Sequence, residues 1–177
     1  MSKLRLATVW LDGCSGCHMS FLDIDERLFA VVQKADLVYS PLVDAKIFPE
    51  GVDITLVEGS VSSEEDLHKI LLVRERTKTL VSLGDCAVTA NVPGMRNSFG
   101  VKAVTDRAYC ENVSIGSGVP TEVVPKLLAR VRPVHEVVPV DVFVPGCPPS
   151  ADTIFFVLSE LLEGRNPQLT TKTRFGA

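Results

Sequence analysis

The sequence predicts a three-layer α/β fold, a mainly parallel five-stranded sheet with helices on both faces. Three observations predict it. Short runs rich in β-branched and apolar residues alternate with segments whose apolar residues recur at helical spacing. No internal repeat or low-complexity segment competes with that alternation. Four cysteines, Cys14, Cys17, Cys86 and Cys147, each follow closely on a strand-like run, and the loops after parallel strands gather along the sheet edge where ligands bind.

Residues 4–11 (LRLATVWL) read as the first strand. Over 19–33, Phe21, Ile24, Leu28, Val31 and Val32 fall at helical spacing, with Asp23, Asp25, Glu26 and Arg27 mostly opposite. A second strand, 35–41, is ended by Pro41, and a third, 52–57, runs into Glu58-Gly59. Ser62 is the expected cap of the next helix, with Glu65 three positions on completing a capping box. Acidic residues in its first turn and Arg74, Arg76 and Lys78 near its end suit the helix dipole, and Leu67, Ile70 and Leu71 form its apolar stripe. The fourth strand, 79–83, delivers Gly84-Asp85-Cys86.

Residues 88–119, rich in Gly, Asn and Ser, read as a long excursion over the ligand edge with a short helix near 101–108. So long an excursion in a compact domain is usually functional or covered by a partner. A short helix is expected over 121–131 and a fifth strand over 140–144. Ser150 caps a last helix, 151–163, that stops before Gly164. The polar tail, 165–177, docks elsewhere or frays. A flavodoxin-like strand order, 2-1-3-4-5, would bring the ends of strands 1, 3 and 4 together, so residues 1–177 read as a single flavodoxin-like domain.

The 177 residues suit one domain, and the 23% charged and 46% hydrophobic content is ordinary for a folded protein. A formal charge of −4 with no basic block argues against nucleic acid as a partner. No apolar run is long enough for a membrane span; the stretch at 154–162 is short and interrupted. Lys3 and Arg5 precede an apolar run, but Asp12 interrupts it too early for a secretory signal. A cytoplasmic location is the expectation.

In that compartment thiols stay reduced, and clustered cysteines more often hold metals or do redox work than form disulfides. Cys14-Ser15-Gly16-Cys17 alone fits a dithiol redox motif, half a zinc site or half an iron–sulfur site. The dithiol reading gives no reason for Cys86 and Cys147 to stand at strand ends. Zinc also takes four thiolates, though usually as paired knuckles in small modules, and this chain offers one pair and two singles. The Cys147-Pro148 step resembles the Cys-Pro ending of ferredoxin ligand runs, which favours iron–sulfur over zinc while leaving both open. A flavin phosphate would find two thiols where it needs small and hydroxyl residues.

The motifs L-D-G-C-S-G-C, V-E-G-S, L-G-D-C-A and V-P-G-C-P-P, in this order and spacing, resemble the small subunit of nickel–iron hydrogenases over about residues 4–163. The variant W-L-D-G-C-S-G-C-H-M-S-F-L-D is most similar to the cytoplasmic bidirectional, NAD-reducing branch. The resemblance implies that Cys14, Cys17, Cys86 and Cys147 hold one proximal [4Fe–4S] cluster. It also implies two partners: a large subunit carrying the nickel–iron centre, and diaphorase subunits carrying FMN and further iron–sulfur clusters. This sequence lacks the cysteine-rich domain of the longer respiratory small subunits, so a single cluster is expected. The related cluster-bearing subunit of respiratory complex I, which works in quinone-coupled electron transfer, is the alternative; its adjacent cysteines differ from C-S-G-C. No acid, base or nucleophile of this chain is expected to act on substrate.

Several other residues draw attention. Gly13, Gly16, Gly84 and Gly146 flank the cysteines, either letting amides approach sulfur or simply making turns. Glu58 either joins a hydrogen-bond network beside the cluster or is a solvated strand end. His18 either donates to a cluster sulfur or is fixed by packing or capping. His68 and His135 read as structural, Trp10 as core packing, Asp85 as a turn former, and Cys110 as a small buried side chain or a partly exposed thiol.

Overall fold

The computed structural model describes residues 3–173. The chain runs β1 (Leu4–Trp10), α1 (Gly16–Leu22), a 3-10 turn (Asp25–Arg27), α2 (Leu28–Lys34) and β2 (Ala35–Tyr39). It continues through β3 (Val52–Glu58), β4 (Val61–Ser63), α3 (Glu64–Arg76) and β5 (Thr77–Leu83). Short helical pieces follow: α4 (Asp85–Thr89), α5 (Asn91–Gly94), a 3-10 turn (Met95–Ser98), α6 (Val101–Asp106) and a π turn (Arg107–Glu111). Last come β6 (Leu127–Arg132), β7 (Val142–Val144) and α7 (Ala151–Leu162).

The main sheet has the order β2-β1-β3-β5-β7, parallel at every pairing. This is the expected 2-1-3-4-5 order, with β5 and β7 as its fourth and fifth strands. Successive side chains of a strand point to opposite faces, and the core divides accordingly. Leu6, Ile54, Leu56, Val81, Leu83 and Val144 pack with Phe21 of α1, Ile24 just after it, Val31 of α2, and Ile154 and Leu158 of α7. Ala7, Val9, Val57 and Leu80 pack on the other side with Ile70 and Val73 of α3. Each fully buried aliphatic side chain contributes about 1.5–3 kcal/mol, so both layers matter to stability.

Four expectations need correction. The helix over 19–33 is two helices, broken where Asp25 takes φ +57, a conformation Asp tolerates better than most residues. The apolar spacing survives the break because Phe21, Ile24 and Val31 still face one core. The cap of α3 is Ser63, not Ser62: Asp66 N–H donates to Ser63 Oγ (3.1 Å) and Ser63 N–H returns to Asp66 Oδ2 (2.9 Å). Ser62 lies one residue further back in β4, and the apolar stripe runs through Ile70 and Val73 while Leu71 is exposed. The excursion over 88–119 is a train of short helices as far as Glu111, of which α6 answers to the expected one, and is irregular beyond it.

The fourth correction is the helix expected over 121–131. Residues 121–126 are irregular and Leu127–Arg132 is strand, antiparallel to β4. A partner more than sixty residues upstream decides this, with tertiary pairing overriding local preference. Arg96 Nη2 donates to Ser62 O and Leu128 O (both 3.0 Å), and Asn97 exchanges two bonds with Val131, so the helical train is pinned to this two-stranded ribbon. At the far end, Leu169 packs on the core and Thr153 Oγ1 donates to Lys172 O (3.1 Å). The described part of the tail is therefore docked; residues 174–177 lie outside the described residues.

Candidate metal centre

Strands β1, β3, β5 and β7 are consecutive neighbours, so the chain leaving their C-terminal ends arrives at one edge. Cys14 lies in the loop after β1 and Cys17 in the first turn of α1. Cys86 lies in the first turn of α4, just after β5, and Cys147 in the loop after β7. Cys17 is buried, Cys86 half-buried, and Cys14 and Cys147 are exposed.

Glycine makes two of the contacts possible. Gly84 has φ +83, and a Cβ there would sit 2.2 Å from Cys17 Sγ, so its missing side chain is the space that sulfur occupies. Gly146 has φ +141, and a Cβ there would lie 2.6 Å from Pro149 Cα. The loops after β5 and β7 are also tied together. Gly84 N–H donates to Val144 O (2.8 Å), Asp85 N–H to Gly146 O (2.8 Å), and Gly146 N–H to Asp85 Oδ1 (2.7 Å).

Cys17 and Cys86 feel the neighbouring thiols. Burial, then the Glu58 carboxylate, then Cys86, Cys14 and Cys147 push the Cys17 thiol far above the ordinary thiol range. Burial also raises Cys86, opposed by a hydrogen bond from the Val92 backbone and reinforced by Cys14, Cys147 and Glu58. A site that disfavours isolated thiolates is one where bound cationic metal would hold them ionised. Asn91 Nδ2 adds a donor 3.6 Å from Cys147 Sγ. Sequence reasoning missed Asn91 and Val92; their position just beyond Cys86 was the available signal.

The donor set is all thiolate, soft enough for zinc or iron–sulfur. Among the described residues no three His, Cys, Asp or Glu side chains close around a single ion. Four thiolates are the donor set of a four-coordinate zinc, whose sulfurs share one metal at about 2.3 Å, or of a cluster in which each thiolate holds a different iron.

Glu58 and His18 are buried beside these cysteines, at 2% and 5% exposure. The Glu58 carboxylate accepts from Cys17 N–H (3.4 Å) and His18 N–H (2.8 Å), and also bonds His18 Nδ1. His18 Nε2 lies 3.0 Å from Thr8 Oγ1, which donates to Ser40 Oγ (2.8 Å). Of the readings open for these residues, the structure selects a buried network for Glu58, and for His18 a ring bonded to Glu58 and Thr8. Trp10 is not core packing: it is 45% exposed, with its indole N–H on Gly13 O (3.3 Å). Cys110 is exposed in the π turn, His68 is exposed, and His135 is exposed with its ring edge on Phe143.

Residues 14–161 match the family described as NADH ubiquinone oxidoreductase, 20 Kd subunit. The chain belongs to that family. Within it the likeness runs to hydrogenase small subunits. The chain is 44% identical to the delta subunit of the NAD-reducing hydrogenase HoxS of Cupriavidus necator, over 92% of this chain and 80% of that one. It is 36% identical to the G subunit of a F420-non-reducing hydrogenase of Methanocaldococcus jannaschii, over 96% of this chain but 59% of that longer protein. A chain in the crystal structure of an NAD+-reducing [NiFe]-hydrogenase superposes with a TM-score of 0.93 at 39% identity, covering 98% of this chain and 99% of that one. Among the described residues no helix is long and apolar enough to cross a membrane.

Proposed function

We propose that this chain is the electron-transfer small subunit of an NAD(P)-reducing nickel–iron hydrogenase, one domain in which Cys14, Cys17, Cys86 and Cys147 hold a single [4Fe–4S] cluster. The observation that carries the reading is the meeting of four thiols from three separated loops at one edge of a parallel sheet, in a chain of this family. Such a cluster, when bound, stores one electron at a time, which suits a relay between a two-electron centre and the next carrier. The partners are a large subunit bearing the nickel–iron centre and a diaphorase module with FMN and further clusters, all in the cytoplasm.

The chain's own part is to bind and insulate. Cys17, Gly84 and the α1 helix wall off the inner side. Glu58 anchors the first turn of α1 by taking the Cys17 and His18 amides. The Val92 amide and the Asn91 side chain supply donors toward sulfur, and such bonds tune a cluster's potential.

The test is an anaerobic preparation of the complex, analysed for iron and nickel. A broad visible absorption bleached by dithionite is expected, with about four irons per chain assignable to this subunit. Cys147→Ser should lose or convert that cluster and stop hydrogen-dependent NAD(P) reduction, whereas Cys110→Ser should behave as the parent does. A colourless, zinc-replete subunit, or full activity in Cys147→Ser, would defeat the assignment.

A further inference from the structure

We propose that Asp85 is a positioning residue that sets the spacing of Cys86 and Cys147 and thereby the environment of the cluster they hold, an inference that rests on the ligand reading above. The β5–β7 ladder ends at the pair Leu83↔Val144. Beyond it, β5 turns into α4, and the Asp85 carbonyl is engaged there by Thr89 Oγ1 (2.8 Å). The Asp85 side chain takes over the role: its Oδ1 accepts the Gly146 N–H at 2.7 Å, while its own N–H donates to Gly146 O at 2.8 Å. A carboxylate thus carries the ladder one step past the strands. Cys86 and Cys147 each follow one residue after this tied pair.

The arrangement leaves few ways to compensate. Gly146 is boxed in, since a Cβ there would run into the Pro149 backbone. The residue before Asp85 is Gly84, which gives its space to Cys17 Sγ. The tripeptide 84–86 therefore touches all three ligand-bearing loops, and the Asp85 side chain, 5% exposed, is the part that fixes their register. A turn former would need only the backbone shape; a positioning residue needs the acceptor oxygen.

Asp85→Asn keeps that oxygen and removes the charge, while Asp85→Ala removes both. The two are compared with the parent in the anaerobically purified complex. The readouts are iron release to a chelator, the low-temperature electron paramagnetic resonance line shape of the reduced cluster, and its midpoint potential by redox titration. Asp85→Asn should retain iron and line shape, with the potential shifted upward because a negative charge beside the cluster is gone. Asp85→Ala should release iron about tenfold faster, with an altered line shape, as expected when an outer-shell partner is lost.

Where Asp85→Ala fails to assemble, Asp85→Glu replaces it: the acceptor is kept on a longer arm that displaces Gly146, and an altered line shape is expected. Asp85→Ala or Asp85→Glu matching the parent in all three readouts overturns the proposal. So does Asp85→Asn losing iron as fast as Asp85→Ala. A parent complex with no cluster signal in this subunit defeats the ligand reading itself, an outcome distinct from either.

Discussion

The face of the sheet under α3 and the face under α1 follow the same two-residue alternation but bury different chemistry. Under α3 the strands present Ala7, Val9, Val57 and Leu80 to Ile70 and Val73, and the buried pair Thr55 and Thr77 bond each other (2.8 Å). Under α1, Leu6, Ile54 and Leu56 give way toward the C-terminal ends to Thr8 and Glu58, which meet His18 and Cys17. A buried carboxylate and imidazole are weak sources of stability compared with well-packed apolar residues. They persist on the face whose helix carries Cys17, with Cys14 in the loop just before it, where fixed acceptors for backbone amides have a use. The α3 face holds the fold together; the upper α1 face holds the site in place.

Removing Glu58 tests that division most severely. Glu58→Ala strands the His18 ring and two buried amides, so a loss of about 3–5 kcal/mol is expected in chemical unfolding, together with lower iron content. Ile70→Ala should lose a similar or smaller amount, about 2–5 kcal/mol, yet leave iron content and cluster spectrum unchanged in the folded fraction. If Ile70→Ala disturbs the spectrum as much as Glu58→Ala does, the two faces do not differ in role. Thr8→Val deletes one hydroxyl from between His18 and Ser40 at nearly constant volume. It should remove about 1–3 kcal/mol, again with a spectral change, and a silent variant would show that the chain of bonds ends at His18.

The smallest expected effect lies far from the site, at the N-terminal ends of the strands. Partial burial pushes the Asp53 carboxyl up, but bonds from Lys78 Nζ and the Arg5 N–H outweigh it and hold the group below its ordinary value of 3.8. A folded-state value below the unfolded one means that Asp53 stabilises the chain above that pH. The contribution is lost as pH falls through the folded value. Asp53→Asn should flatten the acid limb of the stability curve by under about 1 kcal/mol and leave neutral-pH spectra alone.

The parallel sheet was legible because its strands carry their signal locally: β-branched runs ended by Gly or Pro, with a capped helix between. The gathering of the four cysteines at one sheet edge was legible for the same reason, each thiol standing just past a strand whose neighbour order followed from the alternation. What escaped depended on partners distant in sequence. β4 and β6 are short, and Leu127–Arg132 becomes strand only because Val61–Ser63 lies opposite. The cap of α3 shifted by one residue because Asp66, not Glu65, is the side chain that reaches back, closing the box on Ser63. Trp10 looked like core, yet its side chain is 45% exposed, past the last pairing of β1 with β2 at Ala7↔Tyr39, while Thr8, Val9 and Leu11 around it are buried.

Cys17 is sealed in while Cys14 and Cys147 stand at the surface. A redox group held between them would be walled by low-dielectric protein on one flank and washed by water on the other, and exposure is one of the levers on a cluster's potential. Its thermodynamic setting would then depend on whichever neighbour closes the open flank. Docking would do more than shorten an electron's jump: it would retune the donor in the act of contact.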